Sequence, residues 1–172
     1  MRARGFLPLV AAAISVQTGA ASYSMAFVSE FPARILAAHN AERARAGRPS
    51  LVWDNTLVAG AAAYARQMAF TGRFQHSNRR ARPGTGENLW MGPHGYYPVE
   101  AMVGSWVSER RWFRRGVFPN VSRTGDWSDV GHYTQMIWPT TTRVGCAIAS
   151  TGQTDYLVCR YSNAGNIDGR IV

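Results

Sequence analysis

The 172-residue chain contains no lysine: all 19 basic residues are arginine, against 10 acidic ones, for a net charge of +9. An all-arginine set is as readily a mark of genome composition as of function, so it is discounted as a motif. The charge itself favours acidic partners, such as phospholipid headgroups, anionic envelope polymers or nucleic acid. Cysteine is also scarce: Cys146 and Cys159 are too few for a disulfide-framework protein. Long apolar runs are missing except for one near the N-terminus, which is too short to span a bilayer. Charged residues are 17% and apolar residues 46%, which excludes an intrinsically disordered chain. The HExxH zinc signature, the Gly-Lys-Ser phosphate loop and the G-x-S-x-G elbow are all absent. What remains is one ordinary domain, long enough to bury a real core without staples.

The N-terminus has three parts. Arg2 and Arg4 are followed by the apolar stretch from Phe6 to Val16, and then by small residues around Gly19-Ala20-Ala21-Ser22. This layout reads as a secretory signal peptide over residues 1–21, with cleavage after Ala20 or Ala21. A domain over 22–172 follows, exported to the periplasm or the exterior. Export brings oxidising conditions, in which Cys146 and Cys159 can pair.

Ser29 is placed to cap a first helix, running to about Ala46 and ended by Gly47 and Pro49. Ile35, Leu36 and His39 fall on one side of it, with Arg43 a turn beyond. Asp54 caps a second helix that ends at Gly72, with Leu57, Ala61, Tyr64, Ala65 and Met68 at helical spacing. Residues 73–98 are rich in Gly and Pro and read as loop, with a short strand at Asn88–Met91. A third helix runs from Pro98 to about Phe113, and Asp129 caps a short fourth one over Val130–Ile137. Two strand-like runs, Val144–Ala149 and Tyr156–Tyr161, flank a turn at 151–154. In that hairpin Ala149 faces Tyr156, which puts Cys146 opposite Cys159. A disulfide can bridge such a pair, though two buried thiols would serve equally well as small apolar side chains. The pattern is an α+β layered domain.

Met102, Trp106, Glu109 and Phe113 share one helical stripe, so Glu109 sits in the middle of an apolar face. A carboxylate there is costly unless hydrogen-bonded, paired or bound to metal; a solvated helix edge or an arginine partner explains it as well. His76 lies in a turn-rich segment, Glu87 between Gly86 and Asn88, and His132 after Gly131 at a helix start. Two imidazoles and two carboxylates meeting in a cleft would suit a divalent metal. Nothing in their spacing brings them together, and each His alone fits a structural role equally well. The run Arg110, Arg111, Arg114 and Arg115 reads as a solvated face near a helix end.

The stretch Gly131-His132-Tyr133-Thr134-Gln135-Met136-Ile137-Trp138, followed by Val144-Gly145-Cys146-Ala147, resembles the signature of the CAP superfamily. That superfamily includes cysteine-rich secretory proteins, antigen five and the plant pathogenesis-related group-one proteins. Four further blocks agree in order: His39-Asn40-Ala41-Glu42-Arg43, Gly86-Glu87-Asn88-Leu89, Ser105-Trp106-Val107-Ser108-Glu109, and Tyr156 to Tyr161 running into Gly165-Asn166-Ile167. The resemblance implies a three-layer α-β-α sandwich. It further implies that His76, Glu87, Glu109 and His132 correspond to the family's central tetrad, where the two His can hold a divalent ion, often zinc, beside the Glu pair. His39 matches a position outside that tetrad and reads as structural; His94 matches nothing and reads as a loop residue. Val107 and Asn163 depart from the family pattern, and the low Cys count resembles a bacterial member.

Three functions follow as expectations. The first is a secreted binding module for a sterol, fatty acid or other apolar ligand, drawn to an anionic membrane or envelope. The second is a metal-dependent peptidase or esterase, with Glu87 or Glu109 as general base. Nucleic-acid binding, the third, rests on arginine content alone; export and the lack of a motif argue against it. Binding is favoured over catalysis, because no oxyanion donor or Ser-His-Asp order can be read from the chain.

Overall fold

The computed structural model describes residues 19–172, with side chains from Glu30 onward. The signal-peptide segment lies outside these residues up to position 18. Among the described residues no helix is long and apolar enough to cross a membrane. The described residues form four α-helices and four strands in the order α1 (Gly19–Arg45), β1 (Val52–Trp53), α2 (Asn55–Thr71), β2 (Thr85–Pro93), α3 (Val99–Ser108), α4 (Gly131–Met136), β3 (Arg143–Ser150) and β4 (Thr154–Ser162).

The strands form one sheet in the order β1-β3-β4-β2, parallel between β1 and β3 and antiparallel elsewhere. Alternation along the strands sorts side chains to two faces. Ala147, Ala149, Tyr156, Val158 and Leu89 pack on α2 through Ala61, Ala65 and Met68. Gly145 lets this helix approach: a Cβ there would lie 2.5 Å from the Asp54 carbonyl oxygen. Cys146, Leu157, Cys159 and Tyr161 face the opposite way, into a larger core with Ile35, Trp106 and Met136 from α1, α3 and α4. The result is the α-β-α sandwich that the resemblance implies.

Local chemistry accounts for most element ends. The Asp54 carboxylate accepts from the backbone N–H of Thr56 and Leu57, and Gly72, at φ 67°, closes α2 with its N–H on Met68. The hairpin register pairs Ala149 with Tyr156 and Cys146 with Cys159, and the two cysteines form a disulfide at a Cα separation of 4.1 Å. Three ends differ from the sequence expectation. The first helix is already under way at Gly19, the first described residue, so Ser29 lies inside it rather than capping it, and it carries Pro32 inside. The third helix stops at Ser108, and Glu109–Trp112 tighten into a 3-10 turn. Ahead of α4 it is Asp126, not Asp129, that caps, by accepting from Ser128 N–H in a 3-10 turn over Trp127–Val130. The strand expected at Asn88–Met91 extends to the nine residues of β2 because all nine pair with β4.

Four residues of the His39–Arg43 block tie α1 to the body. His39 is fully buried; its Nδ1–H donates to the Ile35 carbonyl, and its Nε2 accepts from the Tyr161 hydroxyl. Asn40 exchanges two hydrogen bonds with the Leu51 backbone. Glu42 accepts from Arg110. Arg43 donates to the carbonyls of Pro49, Met136, Trp138 and Thr141. Both His39 and Arg43 are structural, as the family position of His39 implied.

Candidate metal-capable cleft

β2 is an edge strand, so a groove along it can be lined from both faces of the sheet. Glu87 points to the α2 face, directly opposite Arg160 of β4, while the next residue, Asn88, points to the other face. A cleft of about 920 Å³ opens at this edge, lined among others by His76, Glu87, His132 and Gln135. Gly86 makes room for Gln135 here: a Cβ would lie 2.0 Å from the Gln135 side-chain oxygen, and that side chain would have to shift.

One wall is the His76–Glu87 pair. His76 Nδ1 is 2.8 Å from Glu87 Oε1, which also accepts from the Ser77 N–H. Glu87 Oε2 accepts from Ser77 Oγ at 2.7 Å and from Arg160 Nη2 at 2.9 Å. Arg82 adds a second guanidinium at 3.8 Å. Burial pushes the Glu87 pKa up, but the hydrogen bonds from His76 and Ser77 and the charge of Arg160 outweigh it and hold the carboxyl below its ordinary range. Glu87 is therefore a fixed anion. Since a carboxylate accepts only, His76 carries its proton on Nδ1.

The opposite wall is the His132–Glu109 pair. His132 Nδ1 donates to Glu109 Oε1 at 2.6 Å, while the N–H groups of His132 and Tyr133 donate to Oε2 at 3.0 Å each. Glu109 thus caps α4 from another element and orients the ring of His132 at the same time. Trp106 stacks on that ring at a centroid distance of 5.9 Å and 12° between planes. Asn88 Nδ2 donates to the His132 carbonyl at 3.0 Å. A second pocket of about 260 Å³ adjoins this wall, formed by Phe74, Leu89, Trp90, Met91 and Trp106 above Glu109 and His132.

Three of the four tetrad residues expected from sequence, His76, Glu87 and His132, line the one cleft; Glu109 stands behind His132. Among the described residues no three His, Cys, Asp or Glu side chains gather as a ready ligand set. Each carboxylate lies on the Nδ1 side of a ring, and neither ring's Nε2 has a protein partner among the described residues. Ser77, Asn88 and Arg160 are the supporting residues that sequence reading missed. Ser77 adjoins His76, but Arg160 could have been found only through the β2–β4 register. His94, expected to be a plain loop residue, pairs with Asp155 at 2.7 Å, well away from the tetrad.

The layer order and the edge cleft define a CAP-type α-β-α sandwich. Comparison with known proteins agrees: the chain belongs to the cysteine-rich secretory protein (CAP) family, whose model matches residues 36–161. It is 33% identical over 165 residues to the secreted protein RBT4 of Candida albicans, covering 94% of this chain and 43% of that protein. The chain therefore spans less than half the length of that relative. It is 35% identical over 136 residues to pathogenesis-related protein 1C of Nicotiana tabacum, covering 78% of this chain and 76% of that one. The solved structure of NaASP2, determined with Zn2+, superposes with a TM-score of 0.69 at 24% identity, covering 81% and 83% of the two chains.

Proposed function

We propose that this is an exported binding protein whose edge cleft holds a divalent cation on His76 and His132, with an apolar ligand in the adjoining pocket. The observation that carries the cation reading is the matching state of the two rings. Each is fixed by a carboxylate at Nδ1, which leaves Nε2 as the ligating nitrogen. Carboxylate–imidazole pairing of this kind orients metal-binding histidines and raises their basicity. The donor set fits zinc or a similar ion, with two imidazoles from the chain and the remaining positions open to water. A bound cation would supply a Lewis-acidic anchor for an oxygen of the ligand. Export is supported by the three-part N-terminus and by the secreted relative in Candida.

The state of Glu87 argues for binding over hydrolysis. A general base needs a lone pair free for the incoming proton. Glu87 accepts four hydrogen bonds, from His76, Ser77 and Arg160, and has no lone pair free; Glu109 accepts three, from His132 and Tyr133, and its remaining lone pair lies on the oxygen that orients the His132 ring. Ser105 and Ser108 turn their hydroxyls to the carbonyls of Met102 and Ser105, so neither is poised as a nucleophile.

The apolar ligand is supported by Phe74 and Met91, which are 43% and 49% exposed at the mouth of a pocket otherwise walled by Trp90 and Trp106. Titration with a labelled sterol and a labelled fatty acid tests this. Saturable binding at micromolar levels, weakened by Phe74→Ser and Met91→Ser, is the expected result. No saturable binding of either probe overturns the ligand reading.

A further inference from the structure

Six arginines gather where the C-terminal end of α1 meets the 3-10 turn after α3: Arg45, Arg48, Arg110, Arg111, Arg114 and Arg115. Contacts fix four of them in one place. Arg45 and Arg110 both reach Glu42, at 3.4 and 2.9 Å. Arg115 donates to the Ala46 carbonyl at 2.9 Å, close enough to Arg48 for the two charges to repel. Among the described residues Glu42 is the one carboxylate that pairs with any of the six. Glu109, next along the chain from Arg110, is turned away to His132. The cluster therefore carries a large uncompensated positive charge.

Apolar side chains accompany it. Trp112 is 43% exposed, and the Arg111 guanidinium lies over its ring at 5.4 Å. Val117 and Ile171, paired across an isolated bridge a few residues on, are 47% and 71% exposed. Guanidinium groups mixed with an exposed Trp and aliphatic side chains match the headgroup zone of a bilayer, where aromatic rings sit beside phosphate and basic residues gain from anionic lipid. A hydrophilic polyanion would leave the apolar part without a role.

We propose that this end of the molecule is a docking face for an anionic phospholipid surface. Net charge alone names no surface; the geometry selects this one, which shares the 3-10 turn with Glu109 but has none of its six arginines lining either pocket, and it does not depend on the cation or ligand reading.

Co-sedimentation with vesicles of phosphatidylglycerol and phosphatidylcholine tests it. The full chain is used throughout, so that the apolar N-terminal stretch is common to every arm. Wild-type protein is expected to bind these vesicles, to release them as salt rises, and to bind phosphatidylcholine alone weakly. Each arginine near an anionic surface contributes about five-fold, so Arg45→Gln, Arg111→Gln and Arg114→Gln together are expected to weaken binding roughly a hundred-fold. The same three positions changed to Lys should retain it, which separates lost charge from lost fold. Arg66→Gln, Arg73→Gln and Arg80→Gln remove equal charge elsewhere and should leave binding within a few-fold. Equal losses for the two Gln triples overturn the proposal. So does equal binding to phosphatidylcholine alone, or binding to dextran sulfate without binding to vesicles.

Discussion

Replacing Glu109 with Gln separates its two roles, because the substitution keeps the volume and removes the charge. The carboxylate accepts three hydrogen bonds, at 2.6, 3.0 and 3.0 Å, from His132 Nδ1, His132 N and Tyr133 N. A glutamine offers one acceptor oxygen, and its NH2 would face groups that are themselves donors. At least one donor loses its partner, and the start of α4 loses its negative charge. A hydrogen bond to a charged group contributes about 1.5–3 kcal/mol. Glu109 is 18% exposed, so water softens the loss. Urea unfolding should therefore show Glu109→Gln less stable by about 2 kcal/mol. Nitrogen NMR of the imidazole should show His132 changing from a single Nδ1–H tautomer to a mixture. Competition against a chromophoric chelator should show metal affinity falling about 10–100-fold, as for other supporting residues of metal-bound histidines. Unchanged stability together with an unchanged tautomer would refute the role of Glu109 as cap and orienter.

Three further outcomes follow from the packing. Burial lowers the His39 pKa to about 4 from 6.5, so below pH 6.5 the unfolded chain takes up a proton that the folded one refuses. Stability is full above pH 6.5 and should fall by about 3 kcal/mol between there and pH 4; His39→Gln should lack that slope, and parallel pH profiles for the two proteins would contradict it. The Cys146–Cys159 bond closes a loop of sequence separation 13. Its reduction should cost about 3 kcal/mol in the chain-entropy model, read from the urea midpoint, and an unshifted midpoint would count against it. Gly145→Ala would press a Cβ to 2.5 Å from Asp54 O and 2.6 Å from Val58 N, both backbone atoms that cannot swing aside. A loss of about 1–3 kcal/mol in thermal or urea unfolding is expected, and none at all would mean that α2 is not held this close to β3.

Features set by nearby residues were legible in the sequence. The Asp54 cap, the Gly72 stop and the β3–β4 register each depend on neighbours within a few positions, and the structure has all three. Long-range pairings were not legible. β2 meets β4 across the stretch of chain that holds α3, α4 and β3, so neither the full length of β2 nor Arg160 opposite Glu87 could be read from spacing. Helical phase singled out Glu109 as a carboxylate on an apolar stripe but could not show what surrounds it. Its cost is met by donors from α4, a separate element, and the turn tightens to 3-10 at that point. The placement of His76 and His132 on one cleft was implied by the likeness of sequence blocks, since local periodicity has no information about a loop and a short helix that meet at a sheet edge. The arginines after α3 were read as a solvated face; Arg110 in fact holds Glu42 of α1, and Arg115 the end of the same helix.

The most direct test is equilibrium dialysis against Zn2+ of the purified wild type, His76→Ala and His132→Ala, with metal counted per folded chain. The cleft reading predicts one ion bound by the wild type and a loss of binding in either variant, both of which retain native circular dichroism. Equal metal content in all three proteins would contradict it.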